Sequence, residues 1–170
     1  MAHNKRKRLP LRRRREGKTD YRRRLRYLKS GDPRAVVRVS LKNSTVQFID
    51  FDPTGDRVLA SATGKDLREL GWKYNCANLP AAYLTGLLAG KRAAQNNVDR
   101  AILDIGLKVP SKGSKVFASL KGMIDAGIDI PHGEQQFPSD ERIKGAHIDG
   151  SVPNDFNKIK ERILGGTSND

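Results

Sequence analysis

The sequence predicts an α/β fold: a mixed sheet of order β-β-β-α-β-α, preceded by a disordered basic N-terminal arm. Three observations lead there. Three short runs rich in β-branched residues follow one another between positions 35 and 63, separated by turn residues. Two segments with helical spacing of apolar residues, near 79–95 and 116–124, bracket a further apolar run at 101–105. The excess positive charge is confined to the first 34 residues, outside any core-forming pattern.

The opening stretch 1–18 (MAHNKRKRLPLRRRREGK) has no hydrophobic period and reads as a disordered tail. Thr19 is placed to N-cap a short helix, with Asp20 in its first turn and Gly31 at its end. Tyr21, Leu25 and Leu28 fall on one stripe, expected to dock on the body, while Arg22, Arg23, Arg24, Arg26 and Lys29 cover the rest. Five cations in eight positions without an acid make a poor helix free in water.

The run AVVRVSL (35–41) alternates Val37, Val39 and Leu41 on one face with Arg38, Ser40 and Lys42 on the other. Lys42-Asn43-Ser44 is turn-like, TVQFIDF (45–51) is the second strand, and RVLASAT (57–63) is the third. Asp52 to Asp56 between them holds Pro53 and Gly55, suited to a tight turn. Short turns between consecutive strands imply an antiparallel meander. A short helix from Lys65 to Leu70 closes at Gly71, and Asn78 caps a longer one running to Gln95-Asn96-Asn97. AILDI (101–105) fits a buried strand. A loop at 106–114 leads to a helix with the stripe Val116, Phe117, Leu120, Met123 and Ile124, capped by Gly127. Residues 128–170 are loop-rich, with one helix from Asn154 to Leu164 and too few apolar residues for their own core. Three parts result: an arm (1–34), a body (35–127) and an extension expected to wrap the body or meet a partner (128–170).

Net charge is +14. Residues 1–34 hold 15 Lys/Arg against three acids, a net +12, and the remainder holds 18 against 16, a net +2. An arm so charged repels itself and needs a polyanion. Nucleic acid fits, because each neutralised phosphate releases condensed counterions. Arginine outnumbers lysine in the arm, favouring bidentate phosphate contacts and stacking on exposed bases. The single cysteine, Cys76, rules out an internal disulfide and points to a reducing compartment. The longest mainly apolar run, 79–90, is 12 residues and contains Pro80. A membrane span takes about 20. With no apolar leader at the N-terminus, a cytosolic protein without a membrane partner is expected.

The histidines His3, His132 and His147 are scattered, without cysteine or carboxylate at metal-ligand spacing. Gly86-Leu87-Leu88-Ala89-Gly90-Lys91 lacks one spacer of a phosphate loop and has Arg92 where Ser or Thr is needed, so it reads as close helix packing. The carboxylates Asp50, Asp52, Asp56, Asp66 and Asp104 read as turn formers and salt-bridge partners. Polar and basic side chains on the first strand, with Asn43 and Gln47 near the turn, favour RNA over duplex DNA, and no helix-turn-helix, zipper or zinc-finger pattern is present. The loop holding Lys108, Ser111, Lys112 and Ser114 precedes a helix N-terminus and reads equally as a phosphate site or an ordinary connection.

The stretches TDYRRRLRYLKSGDPRAVVRVSLKN (19–43) and GWKYNCANLPAAYLTGLLAGKRA (71–93) resemble the large-subunit ribosomal protein eighteen family. GSKVFASLKGMIDAGIDIPHGEQQFPSDERIKGAHI (113–148) is similar to its archaeal and eukaryotic-type branch, so the resemblance covers roughly 5–150. It implies a structural protein that binds 5S rRNA, contacts 23S rRNA and neighbouring large-subunit ribosomal proteins, and sits in the central protuberance. It implies a ribonuclease-H-like, non-catalytic sheet with no cofactor and no small-molecule substrate. A catalytic sheet of that type has a carboxylate on its first strand, and 35–41 contain none. By position, the RNA-contacting residues it implies are Arg12, Arg13, Arg14, Arg15, Arg22, Arg23, Arg24, Arg26, Arg34, Arg38, Ser40, Lys42, Asn43 and Gln47.

The charge distribution sets a measurable expectation. With roughly 6–10 phosphates neutralised, affinity for RNA falls about 10³-fold or more between 50 and 200 mM salt. A titration of binding against salt checks this, and a logarithmic slope below about two shows that the arm does not engage phosphates.

Overall fold

The computed structural model describes residues 9–165. Within them the chain runs α1 (Arg12–Arg15), α2 (Tyr21–Leu28), β1 (Arg34–Val39), β2 (Ser44–Asp50), β3 (Arg57–Thr63), α3 (Gly64–Glu69), α4 (Leu79–Gln95), β4 (Ile102–Asp104), α5 (Lys115–Asp125), α6 (Asp140–Lys144) and α7 (Val152–Gly165). The sheet order is β3-β2-β1-β4, with β1–β2 and β2–β3 antiparallel and β4 parallel to β1. The meander and the mixed sheet follow the sequence expectation. No described helix is long and apolar enough to cross a membrane.

Period-two alternation divides the sheet into an inner and an outer face. Ala35, Val37, Val46, Phe48, Ala60 and Ala62 point inward and pack on α4 and α5 through Ala89, Ala93, Phe117, Leu120 and Met123. The outer face carries Arg34, Val36 and Arg38, with Gln47 opposite Val36 and Thr45 opposite Arg38. Central α4 is apolar on nearly every side, as a helix with no solvent face must be. It begins with Pro80 in its first turn and with the Asn78 side chain accepting from the Ala81 amide at 2.8 Å. Its far side meets a second cluster, where Trp72, Tyr83 and Leu84 pack with Ile143, Val152, Phe156, Ile159 and Ile163. The C-terminal extension therefore builds no core of its own. It seals the open side of α4.

Several boundaries depart from expectation. The first strand ends at Val39 rather than Leu41, and Leu41 is 92% exposed. Ser40 stops the alternation: its amide donates to the Asn43 carbonyl at 2.8 Å, and its Oγ accepts from the Asn43 amide at 2.9 Å. Ser40 and Lys42 thus lie in a turn, not on the strand face with Arg38. The N-cap of α2 is Asp20, not Thr19; its carboxylate accepts from the amides of Arg22 and Arg23 at 3.0 and 3.1 Å. The Arg23 amide foremost holds the Asp20 carboxyl below its usual range. Thr19 instead accepts from Arg13 Nε at 2.9 Å. The stretch read as a disordered tail includes a helical turn at Arg12–Arg15, while its residues 1–8 lie outside the described residues. In the extension, α6 accompanies the expected terminal helix, which starts earlier, at Val152.

The Gly86-to-Lys91 stretch is close helix packing, as its sequence implies. A Cβ on Gly86 would strike the Ser119 carbonyl oxygen, and one on Gly122 the Tyr83 carbonyl oxygen. The Ser119 Oγ donates to the Ala82 carbonyl at 2.9 Å across this seam. Backbone opposes any added methyl on both helices, so neither can yield by a rotamer change. Gly122→Ala should cost about 1–3 kcal/mol or more in urea unfolding. Gly150→Ala, where nothing lies within 4 Å, should change stability little. Equal midpoints for the two variants would mean that α4 and α5 do not require the contact.

Candidate nucleic-acid interface

Arg34 is the first residue of β1, and its side chain points to the outer face yet is only 5% exposed. Desolvating a guanidinium is costly unless its charge is matched. Two carboxylates match it. Arg34 Nη2 donates to Asp56 Oδ2 at 2.7 Å, and Nη1 donates to Asp104 Oδ2 at 3.1 Å. Asp56 comes from the β2–β3 turn and Asp104 from the end of β4, so one side chain ties three parts of the sheet together.

The same carboxylates hold further arginines. Arg24 of α2 donates through Nη2 to both Asp56 oxygens at 2.8 Å. Arg38 Nη2 donates to Asp104 Oδ1 at 3.2 Å, and its Nη1 donates to the Asp104 and Val37 carbonyls at 2.8 and 2.9 Å. The Gly106 amide donates to Asp104 Oδ1 at 2.7 Å, and the Gly106 carbonyl accepts from Arg23 Nη1 at 2.8 Å. Gly106 has φ +64°, and a Cβ there would meet the Arg38 guanidinium carbon at 3.0 Å. Tyr27 is half-buried beside this network, and that burial pushes its phenol above the usual range, with the Asp104 charge adding to the effect. Helix α2 is therefore held by Arg23, Arg24 and Tyr27. Of the expected docking stripe, Tyr21 and Leu28 are half-buried, and Leu25 departs from it at 57% exposed.

The sequence-derived site residues fall into distinct groups. Arg23, Arg24, Arg34 and Arg38 are engaged within the protein, and Arg34 offers almost nothing to solvent. Ser40 shapes the hairpin turn, and the half-buried Asn43 turns its side-chain oxygen inward against Gly64. Arg12, Arg13, Arg14, Arg15, Arg22, Arg26 and Lys42 are exposed. Arg12 pairs with Glu16 at 3.3 Å, and Arg14, Arg15, Arg22 and Arg26 make no side-chain hydrogen bond or ion pair among the described residues. Gln47 is half-buried on the outer face, with Ser61 opposite it on β3. Thr45 and Ser61 share that polar face, and only the alternation of the second and third strands pointed to them.

A protein family described as "Ribosomal large subunit proteins 60S L5, and 50S L18" matches residues 5–100 and 93–133. A relative from Methanococcus maripaludis, "Large ribosomal subunit protein uL18", is 53% identical over 148 residues, spanning 87% of this chain and 77% of that protein. The chain belongs to this ribosomal L5/L18 family. Membership makes it a large-subunit protein of the cytoplasmic ribosome, an rRNA-binding ribonucleoprotein component in a structural rather than enzymatic family.

In this L18-type chain the acidic residues serve the scaffold. Asp56 and Asp104 neutralise arginines, Asp66 pairs with Arg92 at 2.6 Å, and Asp52 accepts from the Thr54 amide at 2.8 Å. Among the described residues no three His, Cys, Asp or Glu side chains gather to hold a metal. The loop before α5 delivers Ser114 as N-cap without a side-chain cap bond.

Because Arg34 and Asp104 are both enclosed while Arg34 keeps Asp56, Asp104→Asn should destabilise the fold by about 1–3 kcal/mol, the usual cost of losing a hydrogen bond to a buried charged group. Asp56→Ala should instead loosen α2, so that trypsin cuts faster within residues 22–26. Urea unfolding and timed proteolysis read the two effects separately. An Asp104→Asn chain that unfolds with the parent would show that the pair is dispensable.

Proposed function

We propose that this chain binds 5S rRNA, helps attach it to 23S rRNA and occupies the central protuberance of the large subunit. One observation carries the reading. The exposed arginines of α2, and of α1 just before it, belong to a segment that Arg23 and Arg24 tie to the loop after β4 and to the β2–β3 turn. Clamping fixes where the charges stand, so phosphate contacts can set the register of an RNA on the polar outer face. Membership of the L5/L18 family and the relative named uL18 support the assignment to ribosomal RNA.

In this reading Arg12 to Arg15, Arg22, Arg26 and Lys42 neutralise phosphates, and Gln47 with the exposed part of Arg38 supplies hydrogen bonds to bases or 2′-hydroxyls. Arg34, Ser40 and Asn43 act by holding the surface in shape. The sheet is proposed to be of the ribonuclease-H-like type, supported by the order β3-β2-β1-β4 with β4 parallel to β1. β1 (RAVVRV) carries no acid, which supports a non-catalytic role. The arm, body and extension are proposed as the functional division, with neighbouring large-subunit proteins as further partners.

Incubating the full chain with total RNA should retain 5S rRNA preferentially, and the retained RNA should stay intact with Mg²⁺. Retention of all RNAs in proportion to length would overturn the reading. Arg22→Ala and Arg26→Ala should weaken 5S and competitor RNA alike and each lower the salt slope by about one. Gln47→Ala should reduce discrimination between the two RNAs by about 1–3 kcal/mol. If Gln47→Ala weakens both equally, recognition lies off this face.

A further inference from the structure

A groove of about 1410 Å³ opens on the side of the molecule bounded by the β1–β2 turn, residues 74–79, the loop before α5 and the C-terminal extension. Neither the arm nor the arginine–aspartate network borders it. Its rim bears Leu41 and Val109, 92% and 79% exposed, and Ile148. Leu41 is at a hairpin tip and Val109 in a loop, where polar residues would be more soluble, and an apolar patch of this kind on one surface marks an interface. The charged side chains lining the groove are Lys42, Lys108, Lys115 and Arg142, and among the described residues no carboxylate lines it.

We propose that this groove seats an extended segment of a partner protein whose aliphatic side chains are flanked by Asp or Glu. Aliphatic anchors would cover Leu41, Val109 and Ile148, and carboxylates would meet Lys108, Lys115 and Arg142, leaving Lys42 at the rim for RNA. An extended form fits the adjoining strand. β4 pairs only with Arg34 to Val36 and the Arg38 guanidinium takes the Val37 carbonyl; past it, Val39 lines the groove with no described strand on that side. RNA fits the lining less well. Unpaired bases stack on aromatic or guanidinium planes; the planes here are Tyr74, His147 and Arg142, whereas the exposed rim is aliphatic. Tyr74 is committed: its hydroxyl donates to Asp155 at 3.1 Å and shares a 2.8 Å hydrogen bond with Ser151, and its ring stands edge-on to Trp72. Residues 1–8 (MAHNKRKR) and 166–170 (GTSND) hold no Leu, Ile or Val, so these stretches do not match that segment. The inference rests on the ribosomal reading only for where the partner is met.

Two measurements test it. Fluorescence anisotropy compares the full chain's affinity for a short peptide of alternating Leu and Glu with that for the same peptide bearing Lys in place of Glu. The acidic peptide should bind and the basic one should not, and Leu41→Asp or Val109→Asp should weaken binding by about tenfold. Both positions are exposed, so unchanged melting should confirm folding. In purified large subunits, a photoreactive benzophenone side chain at position 109 should cross-link to a protein segment with aliphatic and acidic residues. Equal binding of the two peptides, a cross-link to rRNA, or no cross-link would each overturn the proposal. Retention of 5S rRNA by the unsubstituted chain is scored separately, so a failure of the RNA reading is told apart from a failure of the groove.

Discussion

Arg34 places a permanent charge where the sheet, α2 and the loop after β4 converge, and most of the outer face depends on how that charge is met. Its two partners also serve other arginines: Asp56 shares Arg24, and Asp104 shares Arg38. Three guanidiniums on two carboxylates leave the site positive, so the network stabilises the sheet edge without cancelling the field of the arm. The low-dielectric setting strengthens the enclosed Arg34–Asp104 pair, and it makes the loss of either partner costly.

This arrangement assigns two jobs to one residue type. Some arginines of α2 face inward and fix the helix, while Arg22 and Arg26 stand outside it. A helix docked by apolar side chains would have spent its hydrophobic surface and kept every cation mobile. Docking through Arg23 and Arg24 lets α2 be short, exposed and still positioned. The polar outer face of β2 lies on the same side of the sheet as the network, so a rigid surface and fixed charges adjoin.

Behind the sheet, α4 is the element that both cores share. The glycines at its seam with α5 let the two backbones approach closely, which fixes their relative position more firmly than side-chain packing alone. The extension then covers the opposite side through Ile143, Val152, Phe156, Ile159 and Ile163. That cover also forms one wall of the basic, aliphatic groove through Arg142, His147 and Ile148. Sealing the core and building the groove are thus done by the same residues 140–165.

Much of the fold was legible in the sequence because it rests on local rules. Alternation marked the three strands, Asn78 marked the start of α4, and the Gly86–Gly90 spacing marked close packing. The positive arm and a nucleic-acid partner followed from charge, while RNA rather than duplex DNA followed from the polar side chains of the first strand, the missing DNA-binding motifs and the family resemblance. The split among arginines was not legible, since Arg22, Arg23, Arg24 and Arg26 are chemically alike and differ only in which carboxylate the fold brings near. Asp56 and Asp104 lie 48 positions apart in sequence, and only strand pairing puts both on Arg34. Leu25 of the helix stripe misled for the same reason: a periodic pattern reports what a helix can bury, and the partner surface decides what it does bury. By itself the sequence determined the elements and the charge, which depend on neighbours along the chain. Tertiary structure decided which charges are matched and which face solvent, because matching a buried ion requires groups that meet only when distant strands pair.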